Sequence, residues 1–475
     1  MLYINGTWQS TEQETKVYNP ADGTEVGKAA YGGETETEQA ITAAHEAFGH
    51  WRQTTGNERS RCLRALAEAL RTDRREIAIT ATKEMGKPLG EAEREVDISI
   101  DYLEWYAEEA KRVYGEVLPS SDPSKQLLVL RQPIGVTAAI TPWNFPISMI
   151  IRKLAPAIAA GCTMLIKPAP STPLTAIRLF TCIDRSGFPP GALNLLHGDA
   201  EAIGGTMTSN ALVKKITFTG STAVGKQLIR QSAEHVQKVS MELGGHAPFI
   251  IFDDADLDEA VAAVVASKFR NTGQTCISTN RIYVHEEVVE VFSKKLAAAV
   301  ESITVGNGME EGIDMGPLIS QEALDKVAQQ VKEASKQGAV ITQGGHTMLN
   351  RKGYFYQPTV LTGVTETMTI AQEETFGPVA PIFVFTTEQE VIEQANDTPY
   401  GLASYCFTKN MDRSLRMMYQ LDYGMVGMND AAFVVPQAPF GGVKQSGIGR
   451  EGGTSGLHEY LEEKYVSMRA ASTLL

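Results

Sequence analysis

Cys276 closes the run Asn271-Thr272-Gly273-Gln274-Thr275-Cys276, where small polar residues lead into a thiol, as a nucleophile at an open turn requires. No histidine adjoins it, so its activation has to come from the fold. In Met241-Glu242-Leu243-Gly244-Gly245-His246 one carboxylate lies against an apolar residue and two glycines, a dry setting that raises a carboxyl pKa and suits a general base. Thr141-Pro142-Trp143-Asn144-Phe145-Pro146 sets an amide between two aromatics and two prolines, so Asn144 is held where it could hydrogen-bond a developing oxyanion. Each residue also has a commoner reading: a small buried cysteine, a capping or surface glutamate, a turn-forming asparagine.

Phe218-Thr219-Gly220-Ser221-Thr222-Ala223-Val224-Gly225 turns a strand tightly into a helix whose free N–H groups can face a pyrophosphate. An ordinary glycine turn with Ser221 as helix cap reads the same way. The GxGxxG run Gly447 to Gly452 is excluded as a dinucleotide fingerprint, because the chain after it is too short to complete a strand–helix–strand unit with a distal acidic residue.

Five scattered cysteines (Cys62, Cys162, Cys182, Cys276, Cys406) make neither a disulfide framework nor a zinc ribbon, and no His spacing or GxSxG points to a metal or a serine hydrolase. No metal is expected. A formal charge of −14 argues against nucleic-acid and anionic-membrane partners. The start has no basic patch followed by an apolar run, and the apolar stretch from Gly135 to Ile151 is broken by prolines and ends at Arg152-Lys153, so a cytoplasmic protein is expected.

The elements that must position these groups follow from periodicity. Strands are expected around Leu2 to Trp8 and Lys16 to Tyr18, then scaffold helices over Glu36 to Trp51, Glu58 to Thr72 and Leu89 to Val113. Strands over Gln126 to Gln132 and Gly135 to Thr141 open an alternating series: strands Thr163 to Lys167, Leu193 to His197 and Lys215 to Thr219, with helices Pro173 to Arg185, from Ala202, and Thr222 to Ser232 between and after them. That alternation predicts a parallel sheet with ligands at the carboxyl ends of its strands. A second series runs from Phe249 through Arg281 to Val284, Ala339 to Thr342, Pro381 to Phe385 and Tyr405 to Thr408. A last strand, Glu459 to Met468, is expected to pair with Gln126 to Gln132 or with another subunit.

Taken together, in this order and at these separations, the motifs resemble the aldehyde dehydrogenase superfamily along nearly the whole chain, most of all its bacterial succinate-semialdehyde dehydrogenase group. Pro133-Ile134-Gly135-Val136, Ile140 to Pro146, Arg152-Lys153, Ala159-Ala160-Gly161-Cys162, Ala266 to Asn271, Glu374-Thr375-Phe376-Gly377-Pro378 and Pro439-Phe440-Gly441-Gly442 carry the likeness. It implies an α/β fold with a Rossmann-like cofactor domain (1–116 and 136–243) and an α/β catalytic domain (244–438). A small bridging β-sheet for oligomerisation (117–135 and 456–475) and a return segment (439–455) complete it, in a homodimer or homotetramer.

The resemblance implies a thioester on Cys276, an oxyanion held by Asn144 and the Cys276 N–H, and Glu242 activating the hydrolytic water. It places cofactor contacts on Thr141, Pro142, Trp143, Lys167, Ala169, Ser171, Gly204, Thr219, Gly220, Ser221, Val224, Leu243, Glu374 and Phe376, with Lys167 and Glu374 on the two riboses. Many NAD-using relatives carry a glutamate where Pro170 stands. Its absence here, with Lys167 and Ser171 nearby, leads to an expected preference for NADP over NAD. The substrate is expected to be an aldehyde with a distal carboxylate, succinate semialdehyde first, held by Arg152 and Arg281 with Phe145 and Phe440 alongside. Val434 stands where close relatives have a carboxylate-holding serine, so a neutral or longer aldehyde is the alternative. Ser278 removes the second cysteine of a vicinal redox pair. A CoA-acylating enzyme, a silent binding protein and a plain cysteine hydrolase are the rival readings.

Overall fold

The computed structural model describes residues 1–349 and 351–469, so residues 470–475 of the expected 456–475 segment lie outside the described residues. Strands rich in β-branched and small apolar residues, buried on both faces, build an eight-stranded sheet. Its order is Gly447–Ile448, Lys238–Glu242, Val213–Thr219, Val136–Ile140, Thr163–Lys167, Leu193–Leu195, Leu2–Ile4, Thr7–Gln9. The five inner strands are parallel, and Gly447–Ile448 and Leu2–Ile4 join antiparallel at the two sides. The chain leaves Val136–Ile140 towards one edge through Thr163–Lys167, then returns to its other side with Val213–Thr219. Carboxyl ends diverge at that switch, which opens a crevice between Thr141 and Gly220.

A seven-stranded sheet follows in the order Val340–Gln343, Thr359–Thr362, Val379–Phe385, Thr279–His285, Ala247–Ile251, Ala403–Phe407, Met425–Met428, parallel except at its first pair. The third sheet is antiparallel: Leu461–Arg469 pairs with Lys125–Pro133 over its whole length, and Glu116–Leu118 lies on the other side. Among the described residues no helix is long and apolar enough to cross a membrane.

The helices Glu34–Trp51, Gly56–Thr72 and Thr222–Ser232 run close to expectation, and the one from Leu89 stops at Glu109 rather than Val113. Ser148–Ala160 is a helix that periodicity does not reveal, since all 13 of its residues are buried and it has no polar face. Pro156 sits inside it. Arg152 and Lys153, which looked like the polar end of an apolar stretch, are buried in its middle.

Candidate active site

The nucleophile turn is built against its conformational preference. After the helix Leu257–Phe269 the chain makes a short 3-10 turn in which Asn271, Thr272 and Gly273 take φ of 53°, 60° and 74°. Left-handed conformations at the first two cost on the order of 1–3 kcal/mol each, which the surroundings must offset. Glu91 accepts from the Asn271 N–H at 2.9 Å, and Thr272 Oγ1 donates to Gly316 O at 3.0 Å. Gln274 Oε1 accepts from the Ile319 N–H at 2.9 Å. Gly273 admits no side chain, because a Cβ there would lie 2.2 Å from Gly377 O.

The same bonding net fixes Asn144. Its Nδ2 donates to Gln274 O at 3.0 Å, which places the amide beside the approach to Cys276 with a second N–H to spare. The Asn144 backbone carbonyl accepts from Lys87 Nζ at 2.8 Å and Asn271 Nδ2 at 3.0 Å. Lys87 is buried and paired to Glu95 at 2.7 Å, while the other Glu95 oxygen accepts from the N–H groups of Ile147 and Ser148 at 2.8 and 3.1 Å. One buried ion pair thus ties the Leu89–Glu109 helix to the start of the Ser148–Ala160 helix and to the Asn144 loop.

Burial, with Glu374, Glu242 and Glu451 adding to it and Arg152 opposing, pushes the Cys276 thiol up to about 12. The resting group is therefore a thiol. Glu242, at the end of its strand, has a buried Oε2 without a hydrogen-bond partner among the described residues. Burial first, and then the charge of Glu451, raise it well above the usual carboxylate range, against Lys153, Arg152 and Arg450. Glu451 is anchored by Lys153 Nζ and lies 3.1 Å from Arg152 Nε. Burial works against its ionisation, but these two cations prevail and hold it low. A thiol nucleophile and a carboxylate with a raised pKa, each within electrostatic reach of the other, suit acyl chemistry at a carbonyl.

At the crevice, Thr141 Oγ1 and Thr219 Oγ1 are buried at the ends of adjacent strands, without partners among the described residues. Gly225 packs so tightly under Leu243 that a Cβ would come within 2.4 Å of it, while Gly204 faces open space. Ser221 Oγ caps the helix by accepting from the Val224 N–H at 3.4 Å, with Gly220 half-buried before it and Val224 exposed. Burial lowers Lys167 to about 8, and among the described residues its Nζ donates only to Pro168 O at 3.3 Å. Ala169 is buried and Ser171 half-buried beside the exposed Pro170. Across the crevice, Glu374 accepts from the Gly245 N–H at 3.2 Å and is pushed by burial to about 7. Phe376, at φ 53°, meets Trp143 edge to face at 5.7 Å, next to the half-buried Pro142. Orphaned hydroxyls and a glycine-lined helix start, with a buried lysine and a buried glutamate among the residues around them, fit a dinucleotide.

A cavity of about 260 Å³ opens on the other side of Cys276, with Phe145, Arg152, Arg270, Val434 and Phe440 on its walls. A model of the aldehyde dehydrogenase family matches residues 8–466. The chain belongs to that family. It is 49% identical to a glutarate-semialdehyde dehydrogenase of Pseudomonas putida, over 98% of this chain and 96% of that one. It is 47% identical to an NADP(+) succinate-semialdehyde dehydrogenase of Escherichia coli, again over 98% and 96%. The crystal structure of a succinate-semialdehyde dehydrogenase from Burkholderia pseudomallei superposes with a TM-score of 0.97 at 47% identity, covering 99% of this chain and 98% of that one. The protein is an NAD(P)-dependent aldehyde dehydrogenase.

In this aldehyde dehydrogenase the expected arginine pair needs one correction. Arg152 lines the cavity, stacked 3.8 Å from the Phe440 ring centroid. Arg281 does not: it is 0% exposed. Its guanidinium is taken up by His246 O, Gln394 O and Ala395 O at 3.1, 3.0 and 2.9 Å and by the hydroxyls of Tyr283 and Tyr423. It is a structural tie within the second sheet. Another cavity arginine is Arg270, over Phe145 at 5.7 Å, which the sequence reading passed over. Lys87, Glu91 and Glu95 were also missed. Their signal was present as charged residues on the otherwise apolar face of a helix and its entry. Glu451 was hidden inside the rejected GxGxxG run, whose real work is to bring that carboxylate to Lys153.

Proposed function

We propose that the enzyme oxidises a short aldehyde bearing a distal carboxylate, succinate semialdehyde first, to the dicarboxylic acid, with NADP preferred over NAD. The observation that carries this reading is the pair of arginines, Arg270 and Arg152, on the walls of the cavity that ends at Cys276. A guanidinium suits a carboxylate because its N–H groups match the two oxygens. Similarity to both a succinate- and a glutarate-semialdehyde dehydrogenase favours a carboxylate tail and leaves chain length to be decided by experiment.

Cys276 Sγ attacks the aldehyde carbon as its proton passes to Glu242, which hands it on to solvent; the C–S bond forms, the carbonyl π bond opens, and the resulting oxyanion is held by Asn144 Nδ2 and the Cys276 N–H. The crevice residues from Thr141 to Phe376 would hold a dinucleotide, which would supply the hydride acceptor. Glu242 then takes a proton from water, whose oxygen attacks the thioester carbon; the C–S bond breaks and Cys276 regains a proton as the acid departs. A buried base in this position favours hydrolysis over transfer to CoA. Pro170, exposed beside Lys167 and Ser171, places no negative charge against a 2′-phosphate, which supports NADP.

The first sheet serves as the cofactor domain and the second as the catalytic domain in this reading. The three-stranded sheet, with Val117 78% and Tyr465 61% exposed, joins copies into a homodimer or homotetramer. Initial rates of NADPH and NADH formation with succinic semialdehyde, glutaric semialdehyde and butanal test the substrate and cofactor together. The semialdehydes with NADP are expected to lead, and faster oxidation of butanal would sink the carboxylate reading.

A further inference from the structure

Three arginines, Arg94, Arg152 and Arg270, line the cavity beside two glutamates, Glu91 and Glu95. Glu91, Arg94, Glu95, Ile98 and Tyr102 all line it from the Leu89–Glu109 helix, at spacings of three and four residues that put them on one face. Of the charged groups there, Glu95 is bound to Lys87 at 2.7 Å and Arg152 faces Glu451 at 3.1 Å. Glu91 is raised by burial and engaged with the Asn271 N–H at 2.9 Å. Arg94 and Arg270 remain. Both are exposed, and among the described residues neither has a carboxylate within the 4.0 Å of an ion pair. Ile98, one turn beyond Arg94 and 37% exposed, marks this as the mouth.

Two exposed guanidiniums without a direct ion pair stand at one mouth, both within electrostatic reach of Glu91. We propose that Arg94 is a further specificity-determining residue: with Arg270 it grips the far end of the substrate and selects aldehydes whose tail carries two negative charges. The inference rests on the anionic-tail reading above and extends it. Arg270 meets the first charge over Phe145, and Arg94, on its flexible stem, meets the second from the facing helix.

Two analogues of succinic semialdehyde separate charge from shape: 3-phosphonopropanal, a dianion at roughly pH 8.5, and 3-sulfopropanal, a monoanion with the same tetrahedral head. The full-length enzyme is expected to show a KM for the phosphonate about fivefold below that for the sulfonate, as one exposed charge contact allows. Arg94→Gln should erase that advantage while moving the KM of butanal less than about twofold. Equal KM values for the two heads in the unaltered enzyme, or an Arg94→Gln effect as large on butanal as on the phosphonate, overturns the proposal. Arg270→Gln keeps the two readings apart. If it raises the KM of succinic semialdehyde while Arg94→Gln fails to discriminate, only this inference falls. If it leaves that KM unchanged, the carboxylate reading falls as well.

Discussion

Glu451 lies close enough to Glu242 for its negative charge to add to burial, the larger cause, in raising the Glu242 carboxyl well above the usual range, while Lys153 and Arg152 hold Glu451 itself low. The base that releases the acid is therefore tuned by a residue from the far end of the chain. Removing the Glu451 charge lowers the Glu242 pKa for two reasons, loss of repulsion and release of two cations. The rising limb of the pH–kcat profile should move to lower pH in Glu451→Gln, provided thioester hydrolysis limits turnover. A limb that stays put or moves up rules out this coupling.

Cys276, pushed up to about 12, should behave as a thiol in the enzyme without cofactor. Alkylation by iodoacetamide at this residue, followed by peptide mass spectrometry, is expected to rise about tenfold per pH unit through the neutral range. A plateau near neutrality would show a thiolate already formed and the electrostatic account mistaken.

Pro170 is exposed next to Lys167, so a carboxylate can be introduced there without disturbing the core. Pro170→Glu should cut kcat/KM for NADP by roughly tenfold while leaving NAD nearly unchanged, since repulsion acts only on the added phosphate. Equal losses with both cofactors would mean that the 2′-phosphate lies elsewhere.

Lys87 and Arg281 are both buried cations, and both should fail in stability before they fail in binding. Lys87→Met leaves Glu95 uncompensated and is expected to cost about 3–5 kcal/mol in denaturant unfolding. The double variant Lys87→Met with Glu95→Gln should recover part of that loss. Arg281→Met should likewise destabilise, by roughly 2–4 kcal/mol, with the KM for succinic semialdehyde unchanged in the protein that remains folded. A large rise in that KM would restore Arg281 to the substrate.

Much of the frame was legible because period and burial agree: the alternating strands are buried on both faces, and helices such as Thr222–Ser232 carry caps that the sequence displays. The pairing of Leu461–Arg469 with Lys125–Pro133 followed from two long strands needing partners. The Ser148–Ala160 helix escaped because complete burial erases amphipathic period. Arg270 and Arg281 lie on either side of Cys276 at similar separations, and spacing cannot choose between them. The choice is made by the left-handed turn at Asn271 and Thr272, which aims Arg270 at the cavity, and by the strand Thr279–His285, which carries Arg281 into the second sheet. Glu451 gave no local sign, because its role depends on cations remote in sequence.

Glu451 follows Lys153 by 298 residues. At about 5–20 residues per second, a ribosome takes roughly 15–60 s to make the intervening chain. Until then Arg152 and Lys153 sit in an otherwise apolar helix without the carboxylate that neutralises them, and the strand Lys238–Glu242 lacks its neighbour Gly447–Ile448. The stretch up to Glu242 thus leaves a sheet edge and two cations without their partners until the Gly447 to Glu451 segment has been made.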